Sequence, residues 1–436
     1  MPRSLRIAMV SMHTSPYETP GSGDAGGMNV VERHTADALA CLGHEVEIIT
    51  RRSDPAQPDR VRLSPRVTLR HVTAGPVARL AKSQTDQYID EFQAQMAGLG
   101  PYQIVHSHHW MSGMAALPLA RRWGVPHVQS YHSVAARPGD YLSEGEPPES
   151  LARVDGEAWL ARESDLVVAI SAAEARTVVE RCGADPNRVG IIAPGVDSTL
   201  FRPLVPGEPK WTWPHEKGPA CRKGYVLFAA RLQPLKGPDL AIAALAQVPV
   251  DLRPHLVVAG EVSQDFASYA DELHAMVERL ELQQYVTFTG PQPRDRLAEM
   301  LRGAMLCLVP SHSETFGLIA LEAAASGTPV IASAAGGLRE AVVHGETGQL
   351  MDSRLAADWA SAMVRLCADP ALVDRMGVVA RIHARRFSWE ATAMLLTHAY
   401  RQLLVPTEGQ PPALDILPEV EPAPSSGDLH ADGHSA

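Results

Sequence analysis

Short apolar runs rich in β-branched residues alternate with helix-like segments along most of this chain. Runs of this kind are typical of strands buried on both faces, and the helices between them predict parallel sheets covered on both sides. The chain should therefore fold as an α/β protein. The predicted strands are residues 5–10, 46–50, 67–72, 104–106, 127–130, 166–170, 189–193, 225–230, 256–259, 286–289, 305–309 and 330–333.

The alternation stops between about residues 194 and 223, where proline and glycine are frequent. This segment predicts an interdomain linker with an insertion. We therefore predict two doubly wound, Rossmann-like parallel-sheet domains, residues 1–200 and 201–387, that face each other across a cleft. Ser388 is suited to begin a terminal helix over 388–404, which should pack back on the N-terminal domain. The Pro-, Ser- and acid-rich residues 405–436 predict a disordered tail.

Composition narrows the function classes and the compartment. The net charge of −11 disfavours a nucleic-acid partner. The five cysteines are scattered without CxxC spacing, so the sequence indicates a reducing cytoplasm and no disulfide framework. It shows no signal-peptide cleavage pattern and no run of roughly 18 apolar residues, which predicts a cytoplasmic protein without a transmembrane segment.

Two carboxylates, Glu314 and Glu322, flank a turn between a predicted strand and a predicted helix. The backbone amides of Phe316, Gly317 and Leu318 should lie at the start of that helix, where an anion is favoured. Acids that accept hydrogen bonds from hydroxyls, beside donors for phosphate, suit a nucleotide-sugar. For one such pair alone, a solvated helix face is the more common explanation.

Two cations, Arg231 and Lys236, follow the strand predicted over residues 225–230. Cations at a strand end suit a diphosphate, because they neutralise the charge that develops when a nucleotide leaves. A pair of solvated surface charges is the alternative explanation.

A glycine-rich segment, residues 21–29, precedes a helix predicted over 30–42 and could approach a phosphate closely. It contains a GxGxxG pattern, but the first glycine lies about ten residues beyond its strand. The next strand ends in Arg51 and Arg52, without the acid that binds the ribose of NAD. An NADP-linked oxidoreductase built on this segment stays open as an alternative.

Several histidines follow first-half strands, at His106, His108, His109 and His132. They suit hydrogen bonds to a sugar better than zinc, because no carboxylate or cysteine completes a known metal-ligand spacing. The Asp-x-Asp motif of metal-dependent sugar transferases is also absent, so no metal is expected.

Lys82 and Arg153 are further first-half cations near predicted strand or helix ends. Together with neighbouring cations they could bind a phosphorylated acceptor, although each one alone is more often a surface charge.

These motifs together resemble the retaining GT-B glycosyltransferases of family four. The similarity covers about residues 5–404, and the residues that carry it include the segments 13–16, 21–29 and 106–108, the Arg231–Lys236 pair and the Glu314–Glu322 pair. The subgroup that it resembles most is the D-inositol-3-phosphate glycosyltransferases, with the sucrose-phosphate synthases nearby. This resemblance implies an acceptor-binding N-terminal domain, a donor-binding C-terminal domain and a homodimer.

The resemblance also implies residue roles. The implied catalytic residues are His132, Arg231, Lys236 and Glu314. Donor binding falls on Gly27, Gln292, Phe316, Gly317, Leu318 and Glu322. Acceptor binding falls on Asn29, Lys82, His109, Ser133 and Arg153.

Three positions depart from the subgroup pattern. His109 stands where the subgroup has Tyr, Ser133 where it has Thr, and Gln292 where an Arg is expected near the nucleotide base. These departures leave a small phosphorylated polyol or sugar as the implied acceptor and do not specify inositol 3-phosphate. The resemblance itself implies metal-independent, retaining transfer to it from UDP-N-acetylglucosamine or UDP-glucose, without a cofactor. The alternatives are a GDP-mannose-dependent transferase acting on a lipid or glycan and a non-catalytic sugar-nucleotide binder.

Overall fold

Two parallel sheets, one in each half of the chain, organise the computed structural model. It describes residues 4–18, 20, 24–135, 150–209, 224–262, 266 and 268–405. Every strand predicted from the sequence is present, with ends that differ by one or two residues. The predicted insertion at 210–223 and the tail from residue 406 lie outside the described residues.

The first sheet has the strand order β3-β4-β2-β1-β5-β6-β7-β8, and all neighbours are parallel except β3 and β4. Its elements are β1 (Arg6–Ser11), α1 (Gly27–Cys41), β2 (Glu45–Arg51), β3 (Arg60–Arg62), β4 (Val67–Val72), α2 (Ile89–Met96), β5 (Ile104–His108), α3 (Trp110–Trp123), β6 (His127–Ser130), α4 (Leu151–Glu163), β7 (Leu166–Ala169), α5 (Ala172–Cys182) and β8 (Val189–Ile191).

The second sheet has the order β11-β10-β9-β12-β13-β14, all parallel. Its elements are β9 (Tyr225–Ala229), α6 (Pro238–Gln247), β10 (His255–Ala259), α7 (Tyr269–Arg279), β11 (Val286–Gly290), α8 (Arg294–Gly303), β12 (Leu306–Val309), α9 (Leu318–Ala325), β13 (Val330–Ser333), α10 (Leu338–Ala341), β14 (Gly348–Met351), α11 (Ala356–Cys367) and α12 (Pro370–Ala384).

Burial on both faces explains why these strands are apolar throughout. In β1, Ile7 and Met9 pack into one core cluster, while Ala8 and Val10 pack into another on the opposite face. Successive side chains of a strand point to opposite faces, so a strand covered on both sides has no position for a solvated residue.

Two edge strands are absent from the sequence prediction. Strand β3 is a short antiparallel edge strand of sequence Arg-Val-Arg, and β14 is Gly-Gln-Leu-Met. Neither has the apolar run of a buried strand, because an edge strand needs only one neighbour to satisfy part of its backbone.

The terminal helix α13 (Trp389–Leu403) returns to the first sheet. As predicted, Ser388 caps it, and its Oγ accepts a hydrogen bond from the backbone N–H of Ala391 at 3.1 Å. Tyr400 of this helix is fully buried, and its hydroxyl lies 2.7 Å from Nδ1 of His106 in β5. The division at residues 200 and 387 stays a prediction.

The two chain crossings between the sheets, one after β8 and one before α13, contact each other. The N–H of Val196, after β8, donates to the carbonyl of Phe387, before α13, at 3.1 Å. Gly195 lies so close that a Cβ there would stand 2.2 Å from the backbone nitrogen of Trp389. None of the helices in the described part of the chain is long and apolar enough to cross a membrane.

Candidate active site

The candidate site is the cleft between the carboxyl ends of the strands of the two sheets. On the first-sheet side, β5 ends at His108 and β6 is followed by the loop that carries His132. On the second-sheet side, Arg231 follows β9 and Glu314 follows β12. This placement agrees with the rule that open α/β sheets bind ligands beyond their strands' carboxyl ends. Gly26, Gly27, Arg231, Lys236, Gln292, Arg294, Glu314, Gly317, Leu318 and Glu322 line one cavity of this cleft.

Lys236 and Glu314 form an ion pair on the second-sheet side. The Nζ of Lys236 lies 2.7 Å from Oε1 of Glu314, and the same oxygen accepts from the hydroxyl of Ser311 at 2.9 Å. Both side chains are less than one-fifth exposed. The sequence placed both residues at the site but did not predict that they bind each other.

Arg231 faces the glycine-rich start of α1 across the cleft. A Cβ added at Gly26 would lie 3.4 Å from Nε of Arg231, and the guanidinium lies 3.9 Å from the carboxylate of Asp24. Burial lowers the pKa of Arg231, but an arginine retains its charge. The glycine close to Arg231 is therefore Gly26. A Cβ added at Gly27, the implied donor residue, would instead lie 3.4 Å from a Leu318 methyl.

The turn before α9 depends on Gly317. Its φ of +96° is a left-handed conformation that favours glycine, and a Cβ there would stand 2.4 Å from Leu338. Phe316 is 2% exposed and packs in the second-sheet core. The helix begins at Leu318, so the backbone amides of this turn lie at the helix N-terminus, as predicted.

Glu322 is paired with Arg294, which the sequence analysis missed. The two side chains are 2.5 Å apart, and the carboxylate is almost fully buried. Burial raises the pKa of Glu322, whereas the Arg294 guanidinium lowers it and favours the ionised form. Gln292, the residue implied near the nucleotide base, lines the same cavity, but its amide nitrogen bonds the Thr289 carbonyl at 2.8 Å. Arg294 supplies a cation two residues further on.

His132 is held in an unusual backbone conformation, with a φ of +60°. Its Nε2 lies 2.8 Å from Nδ1 of His108, and its other ring nitrogen is buried without a partner among the described residues. Burial lowers the pKa of His132 to about 4, so the ring is neutral near pH 7. Glu32 is fully buried 3.9 Å from His108, and burial raises the pKa of this carboxyl well above its usual range.

Two hydrogen bonds lie close to the backbone of His132, one from each wall. Glu174 of α5 accepts from the backbone N–H of Ile170 at 2.7 Å. Burial raises the pKa of Glu174 to about 7. On the other side, the hydroxyl of Thr315 donates to the His132 carbonyl at 2.7 Å, across the cleft.

The implied acceptor residues His109, Ser133 and Arg153 lie on the first-sheet side. Both ring nitrogens of His109 are buried without partners among the described residues, and its ring lies 4.3 Å from that of His13. Burial holds the pKa of His109 well below its usual range, and the charges of Lys82 and Arg153 act in the same direction. Nη2 of Arg153 donates to the Ser133 hydroxyl at 3.1 Å and carbonyl at 3.0 Å.

Asn29 contacts its own loop rather than an open surface. Its side-chain oxygen accepts from the N–H of Gly26 at 2.8 Å, and its amide nitrogen donates to Thr14 and Ser15 at 3.1 and 2.9 Å. This pattern gives Asn29 a role in shaping the start of α1, which begins at Gly27 and not at residue 30 as predicted.

Arg51, at the end of β2, is bonded to the backbone carbonyls of Pro76 and Ala78, each at 2.8 Å. Within the described ranges, no group of three or more His, Cys, Asp or Glu side chains is placed to hold a metal ion.

Two facing parallel-sheet domains with a charged cleft between them define the GT-B class of glycosyltransferase. Residues 25–200 match the Glycosyltransferase Family 4 domain, and residues 209–383 match the domain called glycosyl transferases group 1. A D-inositol 3-phosphate glycosyltransferase from Rhodococcus opacus is 41% identical over 413 residues, covering 92% of each chain. The enzyme of that name from Streptomyces coelicolor is 39% identical over 417 residues, covering 91% of each.

Solved structures agree. The sucrose-phosphate synthase from Thermosynechococcus elongatus has a TM-score of 0.82 and 30% identity, covering 92% of this chain and 99% of that one. The Anabaena protein HepE, solved with UDP and glucose, has a TM-score of 0.72 at 20% identity, over 91% of this chain and 99% of that one, which supports the fold alone. This chain belongs to the glycosyltransferase family that contains the D-inositol 3-phosphate glycosyltransferases.

Proposed function

We propose that this protein transfers a sugar, with retention of configuration, from UDP-N-acetylglucosamine or UDP-glucose to a small phosphorylated polyol or sugar. The observation that carries this proposal is the cavity in which Arg231 and Lys236 face the glycine-rich start of α1, with Glu314 and Glu322 on the same wall. The relatives are named D-inositol 3-phosphate glycosyltransferases, and this supports a phosphorylated acceptor.

The donor diphosphate would lie between Arg231, Lys236 and the start of α1. Its negative charge would draw Lys236 away from Glu314, which now holds it at 2.7 Å. Freed from that pair, the Glu314 carboxylate can accept hydrogen bonds from the donor sugar, beside the amides of Phe316, Gly317 and Leu318. One binding event therefore releases both members of the pair for their separate roles.

Glu322 would accept the ribose hydroxyls. An ionised carboxylate accepts two hydroxyl hydrogen bonds, and the Arg294 pair favours that ionised form. Gln292 and Arg294 stand at the same end of the cavity and would contact the nucleotide there.

The transfer itself needs charge stabilisation more than a protein nucleophile. The bond from the sugar's anomeric carbon to the diphosphate oxygen breaks while the acceptor oxygen attacks from the same face. The acceptor proton passes to the leaving diphosphate. Arg231 and Lys236 would stabilise the charge on that leaving group, each by a few kcal/mol, in place of a metal ion. Neutral His132 would donate to or accept from the donor sugar.

The phosphorylated acceptor would bind on the first-sheet side, near Lys82, Arg153, Ser133 and His109. The cations supply the attraction for a phosphate, and the buried imidazole of His109 supplies hydrogen-bonding nitrogen atoms. Asn29 would act there by holding the loop at the start of α1. We also propose a homodimer, and light scattering of the purified protein would test it.

The experiment is UDP release from UDP-N-acetylglucosamine and UDP-glucose, each with inositol 3-phosphate, fructose 6-phosphate or no acceptor, in EDTA. We expect one donor to show release stimulated by one phosphorylated acceptor. Equal release with and without every phosphorylated acceptor would contradict the acceptor class. Release that EDTA abolishes and a divalent cation restores would contradict metal independence.

A further inference from the structure

One hydrogen bond joins the two walls of the cleft at the candidate catalytic histidine. The hydroxyl of Thr315 donates to the backbone carbonyl of His132 at 2.7 Å. Thr315 stands between Glu314, whose carboxylate lines the cavity, and Phe316, whose amide starts the anion-binding turn. The residue has no role in the site described so far.

The backbone of His132 requires support. Its φ of +60° is a left-handed conformation, which a non-glycine residue keeps only where its surroundings impose it. Two contacts hold the residue there. His108 bonds the ring, and Thr315 bonds the carbonyl.

These two contacts differ in where they come from. His108 belongs to the first-sheet half, as His132 does, so it holds the residue in place within one wall. Thr315 belongs to the loop between β12 and α9 in the opposite wall. A ligand that shifts the Glu314 loop therefore shifts the Thr315 hydroxyl, and with it one of the two supports of His132.

We propose that Thr315 is a positioning residue that couples occupation of the donor site to the placement of His132. This inference rests on the proposed function, because His132 matters for the reaction only if the cleft transfers a sugar. Thr315 acts through the peptide carbonyl of His132 and does not itself contact the reacting atoms.

The test compares Thr315→Val, which keeps the shape and removes the hydroxyl, with Thr315→Ser, which keeps the hydroxyl. Small displacements of a catalytic group lower rates steeply, so we expect Thr315→Val to lower kcat about tenfold. The Kd for UDP should stay within about twofold, because the hydroxyl donates to the His132 carbonyl. Thr315→Ser should keep most of the activity.

Glu340→Ala is the matched control. Glu340 accepts from the backbone N–H of Ala172 at 2.8 Å, another contact between the two halves that does not involve His132. Its loss should leave kcat unchanged. An unchanged kcat in Thr315→Val, or equal losses in the valine and serine variants, would overturn the inference.

A second readout does not depend on turnover. Amide hydrogen exchange of residues 131–135 should slow when UDP binds the wild-type protein and should slow less in Thr315→Val. If wild-type protein binds UDP and shows this coupling but transfers no sugar, the inference stands and the proposed function fails. If UDP binds and exchange responds equally in both proteins, the inference fails alone. If UDP does not bind, both fail.

Discussion

The two walls of the cleft differ in the buried titratable groups that they hold. The first-sheet wall buries imidazoles that are neutral near pH 7, among them His106, His108 and His132. The second-sheet wall holds ionised groups in pairs, Lys236 with Glu314 and Arg294 with Glu322. Burial of an unpaired charge is unfavourable. These imidazoles therefore stay neutral, whereas the ions of the second wall, like Arg153 and Glu157 in the first, compensate each other in pairs.

This difference separates how each wall can recognise a ligand. Neutral imidazoles discriminate by hydrogen-bond geometry, while a cation held in an ion pair can exchange its carboxylate for an anionic ligand. The second wall is therefore suited to a diphosphate, and the neutral imidazoles of the first wall are suited to hydroxyl groups. Three predictions can break or sharpen this contrast.

The largest effect is expected from the cations of the second wall. Arg231→Ala and Lys236→Ala should each lower kcat about 100- to 1000-fold, because the charge on the leaving diphosphate loses a partner. Lys236→Arg should lose less. The control is Arg296→Ala, which breaks a partly exposed ion pair with Glu299 in the same half. A loss below about tenfold in both alanine variants would mean that these two cations do not stabilise the leaving diphosphate.

The next effect tests the neutral imidazoles. Burial lowers the pKa of His106 to about 3, below its unfolded value of 6.5. The stability it contributes is therefore complete above pH 6.5 and is lost as pH falls below that value. At pH 5 the loss is about 2 kcal/mol. His106→Gln can still bond Tyr400 and Ser130 but cannot be protonated, so its unfolding free energy should change less between pH 7 and pH 5.

The comparison must be made between variant and wild type, because Glu174 acts in the opposite direction. Its folded pKa of about 7 lies above the unfolded 4.5, so its contribution to stability falls as pH rises from 4.5 to 7. Chemical denaturation of both proteins at both pH values measures the difference. An equal pH dependence in the two proteins would show that His106 is not a neutral buried group.

The smallest effect concerns Arg294. Arg294→Met removes the guanidinium that favours ionised Glu322, so the pKa of this carboxyl should rise further. A protonated carboxyl accepts fewer hydroxyl hydrogen bonds, so UDP affinity should fall relative to wild type, by about tenfold at pH 6 and less at pH 8. Titration calorimetry would measure both, with Arg296→Met as the control. A ratio of Kd values that does not change with pH would refute the pairing argument.

The sequence predicted the sheets well because their strands are buried on both faces. It missed β3 and β14, because these strands pair at the edge of a sheet and lack the apolar run of a buried strand. At the site, strand-end positions correctly brought Arg231, Lys236 and Glu314 to one cleft.

The contacts between those residues were beyond the sequence. No spacing shows that Lys236 bonds Glu314, that Asn29 bonds its own loop, or that Arg294 pairs with Glu322, because each pair depends on tertiary placement. Arg294 could have been suspected from its position at the start of α8, just beyond the end of β11.

The contact between Val196 and Phe387 joins the two chain segments that cross between the halves of the molecule. Both chain crossings run side by side at this point, and Gly195 leaves no room between them. Two adjacent crossings restrain the halves at a single place, so any relative movement of the halves would be a rotation about this place and not a separation. The displacement in such a rotation would grow with distance from it. A protease that cut the first crossing would leave both halves tied together through the second.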